Sequence, residues 1–419
     1  MMTQAFYTGL SGIKGSQAAI DVTSNNIANI STIGYRGYTA EFASLFETML
    51  NNTDSKTSVA GGIGLGSALQ TMSMDQNSGV LSLSERSTDL AIYGDGWFGI
   101  AGKGDTMYTR AGSFTFDENN NLVTPDGYYV LGTRGNNIND TVLTNVLNDV
   151  PLGDVNTQEI LRFPKTLTYP PEATSNASFH ANIGVIDEVR TIGAGVVDPN
   201  GVKNNLQLTF TKSAVQTPPG MQWDVVANVK SLDGDTIYDT QSGVANFDAT
   251  GAIISTTLTT IDNNGATVAI DLGEGYGGVV SINTPVVTGS SISDGTIGGD
   301  LMGYSINRNA EVIATFTNGK QSSVGQIAVY HFQNDQGLDR ASGANFRESS
   351  NSGEPLFFQD KNGNNILGAD VLNFQLENSN VRMEVALTEL IILQRSFDAN
   401  SRSITTADDM LQRAIDMGA

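Results

Sequence analysis

The chain has 419 residues, 39% of them apolar, with 44 acidic against 22 basic side chains and no cysteine. That length suits two or three domains, and the net charge of −22 argues against nucleic acid and against an anionic membrane surface. Disulfides are excluded, no apolar run approaches the ~18 residues of a membrane span, and Met-Met-Thr-Gln-Ala-Phe at the start lacks the parts of a Sec-type signal.

Met2 to Ile30 reads as a helix. Phe6, Ile13, Ile20 and Ile27 repeat every seven residues, and Met2, Gly9, Ser16, Thr23 and Ile30 alternate with them. Large residues on one row and small ones on the next permit close helix approach. Such a helix either packs on the protein's own core or awaits a partner in an assembly. Asn25-Asn26-Ile27-Ala28-Asn29 closes it, Gly34 permits a left-handed backbone, and Tyr35-Arg36 leads outward. Phe42, Leu45, Phe46 and Met49 suggest a short amphipathic helix, and Asn51 to Ser58 a polar linker. Gly61-Gly62-Ile63-Gly64-Leu65-Gly66 lacks the spacing of a phosphate-binding fingerprint and reads as a β-turn.

Short strands follow. Asp89–Ile100 is a strand, a Gly94-Asp95-Gly96 turn and a return strand; Tyr108–Asp117 and Asn121–Tyr128 give further hairpins. Pro164 to Pro171 marks a boundary. From about 173 to 296 the chain is β-rich, with strands expected at 205–210, 223–229, 253–260, 267–272 and 279–282. Acidity gathers there too: residues 151–300 hold 16 acidic and 6 basic side chains, a balance of −10. The first β-region resumes near Gly303.

The last stretch, Asn380 to Ala419, carries one apolar stripe at 3-4 spacing: Met383, Ala386, Leu390, Leu393, Phe397, Asn400, Ile404, Ala407, Leu411 and Ala414. Strict a/d repetition is the pattern of a coiled-coil seam. A helix of about 38 residues would run roughly 57 Å and should find a partner along much of its length.

Chemistry is sparse. His180 and His331 have no metal-ligand spacing around them, and His331, between Tyr330 and Phe332, reads as structural. No nucleophile motif stands out. Asp360-Lys361-Asn362-Gly363 begins like a calcium loop, but Gly is not sixth and Val371 occupies the twelfth position. No catalytic residue, metal ligand or cofactor site is expected.

Asn25-Asn26-Ile27-Ala28-Asn29, with Thr32, Gly34 and Tyr35, resembles a motif of the bacterial flagellar axial proteins, the rod and hook family. Tyr7–Ile13, the blocks at 89–100 and 108–128, Phe316–Leu338, Asn345–Gly353 and Thr388-Glu389-Leu390 through Leu411 resemble it as well. Trp97, where Phe is usual, and Glu85–Thr88 depart mildly. The resemblance covers about 1–37, 76–132, 300–355 and 378–415, is weak in 173–296, and favours the hook member over shorter rod relatives.

What it implies is a mostly β, α+β chain. Residues 1–32 with 377–419 would form a helical, coiled-coil-like inner-tube domain and 33–75 a connecting region. Residues 76–172 with 297–376 would form a middle β-domain, with 173–296 an outer β-domain inserted in it. Phe6, Ile13, Ile20, Ile27, Met383, Ala386, Leu390, Leu393, Phe397, Ile404, Ala407 and Leu411 would be assembly seams. The implied function is structural: a bending tube that passes motor torque to the filament. Its implied partners are other copies of itself, the hook cap, rod and hook–filament junction proteins and the export apparatus, with no membrane insertion. The location would be the extracellular hook, reached by flagellar type III export without a cleaved signal. A distal rod protein with an enlarged outer domain, or a surface adhesin using Trp223 and Tyr238 to bind glycans, are the alternatives.

Overall fold

The computed structural model describes residues 2–45, 47–49, 62–64, 66–102, 104–186, 188–216, 218–284 and 289–417. The chain is mostly β, with one long helix near each terminus: α1 (Met2–Ala28) and α2 (Met383–Asp416). No helix among the described residues is long and apolar enough to cross a membrane.

The two helices pack on each other. At 34 residues, α2 is roughly 51 Å long. Glu384 in its first turn and Arg413 in its last complement the helix dipole. The row that α2 turns inward is Ala386, Leu390, Leu393, Phe397, Asn400, Ile404, Ala407 and Leu411, all buried or half-buried. On α1 the buried row is Gly9, Ser16, Ala19, Thr23 and Asn26. These small side chains follow one another at helical spacing, so the helix axes approach closely. A methyl group on Gly9 would sit 2.9 Å from Ile404 Cγ1, and one on Gly12 would sit 2.6 Å from Asn400 Nδ2. The Ser16 hydroxyl reaches Ser396 Oγ at 3.4 Å.

The other side of α1 meets a hairpin instead of the expected helix at 42–49. Tyr38–Ser44 is a strand, antiparallel to Ser67–Met74. Its side chains alternate up to a bulge at Glu41/Phe42, and the hairpin lies on α1 with Phe42 against Gly15. Pairing with Ser67–Met74, and not a local period, makes this segment a strand. Glu47–Met49 pairs with Gly62–Gly64, so part of the glycine run is strand, not turn. Phe46, the linker at 51–58, Gly61 and Leu65 lie outside the described residues.

A 15-stranded sheet system dominates the middle of the chain. It draws strands from both sides of the 173–296 segment: Thr168–Tyr169 pairs with Gly299–Ile306, and Tyr129–Arg134 with Gln321–Ile327. Its core holds Phe98, Phe114, Phe163, Tyr169, Val312, Phe316 and Val324. The Gly94-Asp95-Gly96 turn does not close a hairpin. Leu90–Tyr93 pairs with Asp370–Asn373, and Trp97–Ala101 with Thr106–Thr109. The chain changes sheets at that turn, where the Gly94 carbonyl accepts a hydrogen bond from Arg110 Nη2 at 2.6 Å.

Residues 176–293 build a separate core between two five-stranded sheets. Trp223, Phe210, Phe179 and Phe247 fill it. The Trp223 indole N–H donates to Ser281 Oγ at 3.3 Å, and Ser281 Oγ donates to the Gly184 carbonyl at 2.6 Å. The expected strands at 205–210 and 223–229 lie within longer ones, and 267–272 is matched one residue early by Ala266–Asp271. The expected 253–260 is broken into Ile253–Thr256 and a new strand from Thr260, and 279–282 shortens to Val279–Val280. Asn176–Asn182, Arg190–Val197 and Ile237–Phe247 are additional. Gly193 and Gly195 hid the second of these, because glycine weakens a strand signal. Their carbonyls accept the Ser291 and Ser293 hydroxyls at 2.8 and 2.6 Å from the facing sheet.

His331 lies inside the fold, its ring against Phe358 at 4.3 Å and its Nε2 2.6 Å from the Leu367 carbonyl. Burial lowers its pKa, against an opposing rise from that carbonyl. A base whose folded pKa lies below its unfolded value of about 6.5 supports the fold above that value, and the support is lost as pH falls through it. Between about pH 7 and pH 5 the wild-type Tm should fall more steeply than that of His331→Gln, which retains an N–H for Leu367. Parallel slopes would remove His331 from the acid response.

Candidate functional site

The site is the joint where α1 ends, α2 begins and the middle sheet meets both. The Asn25–Tyr35 motif builds its near wall. Asn29 Nδ2 donates to the Asn25 carbonyl at 2.9 Å, and the Thr32 hydroxyl donates to Asn29 Oδ1 at 3.2 Å, so side chains take over as the helix stops. Asn26 is buried and pairs with the Tyr38 backbone: its Nδ2 donates to the Tyr38 carbonyl at 2.7 Å, and its Oδ1 accepts the Tyr38 amide at 3.0 Å. That amide-to-backbone clamp holds the first strand against the helix.

Tyr35 and Arg36 turn inward, not outward. Tyr35 is 1% exposed and Arg36 3%. The Tyr35 hydroxyl donates to Asn26 Oδ1 at 3.3 Å and accepts from Arg340 Nη1 at 3.2 Å, while the Arg340 guanidinium lies 4.5 Å from the Tyr35 ring centre. Gly34 runs against the Arg110–Ala111 backbone with φ +67°, and its amide donates to the Glu377 carbonyl at 2.7 Å.

Glu377 is the hub. Its carboxylate, 1% exposed, faces Arg36 at 3.1 Å and Arg110 at 3.5 Å and accepts the Gly79 amide at 2.8 Å. Arg36 also donates to the Gln76 and Asn77 carbonyls. Arg110 lies 5.8 Å from the Trp97 ring centre. Burial pushes the Arg110 pKa down to about 10, with Glu377 pulling it back up and Arg36 adding to the fall. It therefore stays charged at neutral pH. Three residues later Asn380 closes the joint: its Oδ1 accepts the Gly37 amide at 2.8 Å, and its Nδ2 donates to the Asp75 and Asn77 carbonyls, each at 2.9 Å. Nothing in this arrangement is a nucleophile or an acid–base pair. What it can do chemically is fix the base of a helix pair to a sheet through buried charge.

Of the proposed seam residues, Ala386 and Ala407 are buried, and Leu390, Leu393, Phe397, Ile404 and Leu411 are half-buried on the inward face of α2. Ile13, Ile20 and Ile27 are half-buried along α1, whereas Phe6 is 40% and Met383 47% exposed. On α1 it is thus the small row, and not the large one, that lies deepest. Of the motif residues, Asn26, Gly34 and Tyr35 are buried, Asn29 and Thr32 half-buried, and Asn25 and Ala28 exposed. Arg36, Arg110, Glu377 and Asn380 were not picked out as joint residues. Gly12 and Ala19 belong to the helix seam and are legible in the sequence, since Gly9, Gly12, Ser16, Ala19, Thr23 and Asn26 form an unbroken 3-4 row. The glycan-binding alternative loses its platform, because Trp223 is 0% exposed and Tyr238 packs on the same core.

Three family profiles match the chain in order. They are described as flagella basal body rod protein (residues 6–36), flagellar hook protein FlgE/F/G D1 domain (91–175) and flagellar basal body rod FlgEFG protein C-terminal (375–417). The chain belongs to the flagellar rod and hook family, a family of structural proteins. Its relatives include the flagellar hook proteins FlgE of Borreliella burgdorferi (26% identical, 99% of each chain covered), Salmonella typhimurium (26%, covering 99% of this chain and 100% of that one) and Brucella suis (29%, 98% of each). The fold is similar to the crystal structure of Helicobacter pylori flagellar hook protein FlgE2 (TM-score 0.50, 17% identity, 71% of this chain and all of that one). The first and last profiles end and begin at the joint, on Arg36 and two residues before Glu377.

Proposed function

We infer that this chain is the structural subunit of the flagellar hook, a curved helical tube that carries motor torque to the filament as a flexible joint. The observation that carries the reading is the helix pair. Its seam is only half-buried, and Val385, Leu387, Ile391, Ile392 and Met410 leave a second apolar surface on α2 exposed, between 44% and 61% each. Isolated helices with so little burial are marginal in water. Each such side chain stands to gain roughly 1.5–3 kcal/mol on full burial, which neighbouring subunits would supply.

In this reading residues 1–32 and 377–419 form the coiled-coil-like inner wall, 33–75 connect, 76–172 with 297–376 form the middle domain, and 173–296 lie outermost. The chain leaves and re-enters the middle domain at one point, supporting the insertion: the Glu172 and Thr296 amides each donate to the other's carbonyl, at 2.8 and 2.9 Å. The buried joint at Glu377 transmits force between wall and sheets, while polar outer surfaces slide cheaply because exposed polar contacts are each worth little. The partners are other copies, rod, cap and hook–filament junction proteins, and the export apparatus that delivers the chain outside the cell by the type III route. The chain has no catalytic role.

In cells whose only copy lacks residues 383–419, no tube should form. With 173–296 excised and Glu172 joined to Ile297, tubes should form but supercoil less. Normal tubes without α2 would overturn the inner-wall reading. Unchanged curvature without 173–296 would overturn the outer one.

A further inference from the structure

A cleft of about 650 Å³ in the middle sheet region gathers Arg134, Arg162 and Lys165, with Asp140 beside them. All three cations are exposed, and the half-buried Ile138 contributes apolar surface. Arg162 Nε donates to Asn121 Oδ1 at 2.7 Å. The ion pairs among the described residues use Arg36, Arg86, Arg110, Arg190 and Arg347, and none of the three. Asp140 and Asp117, whose carboxyl the Arg162 charge helps hold below the usual carboxylate range, offset part of this charge. In a chain with two acids for every base, the remaining excess on a concave surface is a positive focus in a negative field. The complement is a carboxylate-bearing segment, and an assembly of this chain holds many.

The hairpin of Met221–Ser231 and Ile237–Phe247 supplies such a segment. Its tip presents Asp233 and Asp235, both exposed, and Leu232, 73% exposed, can meet Ile138. The Ser231 hydroxyl and the Asp235 amide hold the Asp233 carboxyl below the usual carboxylate range, so it is charged whenever the cleft is. We propose that the basic cleft receives the Leu232–Thr236 hairpin tip of a second copy of the chain. Cleft and tip are different surfaces, so the contact is heterologous and propagates from copy to copy, as an open helical array requires. The proposal rests on the self-assembly reading above and adds to it a named pair of surfaces.

The test uses the full chain in cells. Arg134→Glu with Lys165→Glu, whose side chains make no hydrogen bond or ion pair among the described residues, should lower tubes per cell roughly tenfold, as a loss near 1.4 kcal/mol per contact would. Asp233→Lys with Asp235→Lys should do the same. All four substitutions together should restore the count. An unchanged count with either pair, or a fourfold variant as defective as the pairs, overturns the contact. So does binding of inorganic phosphate to the purified chain through these cations with tubes unaffected, which would mark a small-anion site. A second measurement is independent of charge reversal. The chain has no cysteine, so Arg134→Cys and Asp235→Cys copies with tags of different length, co-expressed and oxidised with copper phenanthroline, should give a mixed disulfide dimer within tubes. Tubes without that dimer overturn the contact and leave assembly standing. Absence of tubes from the wild-type chain itself would instead sink the assembly reading.

Discussion

Gly34→Ala should lower the stability of the full chain by about 2–5 kcal/mol and abolish tube formation. Two costs combine. Gly34 has φ +67°, a left-handed conformation that costs an L side chain about 1–2 kcal/mol. The added methyl would also lie 2.4 Å from the Ala111 nitrogen and 2.6 Å from the Arg110 carbonyl carbon. Those are backbone atoms, so relief requires the joint itself to open, moving Arg110 off Glu377. Gly343→Ala separates the two costs, because Gly343 has φ +57° and nothing within 4 Å of the new methyl. Thermal melting of the purified chains should show the larger Tm loss at 34. Equal losses at 34 and 343 would mean that the close approach to Ala111 carries no weight.

Glu377→Ala should cost about 3–5 kcal/mol, the usual consequence of removing one partner from a buried ion pair. Arg36 and Arg110, 3% and 2% exposed, would then face each other without a counter-charge. The Gly79 amide would lose its acceptor too. Far-UV circular dichroism should show the helical signal melting earlier than the sheet signal, because the joint supports both helix ends. Glu377→Gln keeps an acceptor for Gly79 but not the charge, and should fall between wild type and alanine. A loss under about 1 kcal/mol in the alanine variant would show that water or another group replaces the carboxylate, and that the joint is not held by charge.

How much of this was legible beforehand differs by element. The α2 stripe was, because a 3-4 apolar row over 34 residues has few alternatives. The same rule misdirected α1. It ranks rows by apolar size, and the deepest row there is Gly9, Ser16, Ala19 and Thr23, where closeness matters more than area. Residues 38–44 show a second limit. Phe42 and Leu45 fit a helix locally, and only pairing with 67–74 makes the segment a strand. Strands with interior glycine, such as 190–197, are visible only once the facing serines are known. The joint was half legible. Asn26, Gly34 and Tyr35 stood out by resemblance, but Glu377 and Arg110 lie 343 and 76 residues from Gly34, and local patterns do not report which acid among 44 meets which base.

Antibody to residues 173–296, applied to intact and gently lysed cells and read by immunogold electron microscopy, tests the central claim most directly. Gold should lie along a short curved segment just outside the cell, at the filament base, in intact cells. Gold seen only after lysis, on a straight shaft, would assign the chain to the rod. Gold scattered over the cell surface would contradict the account.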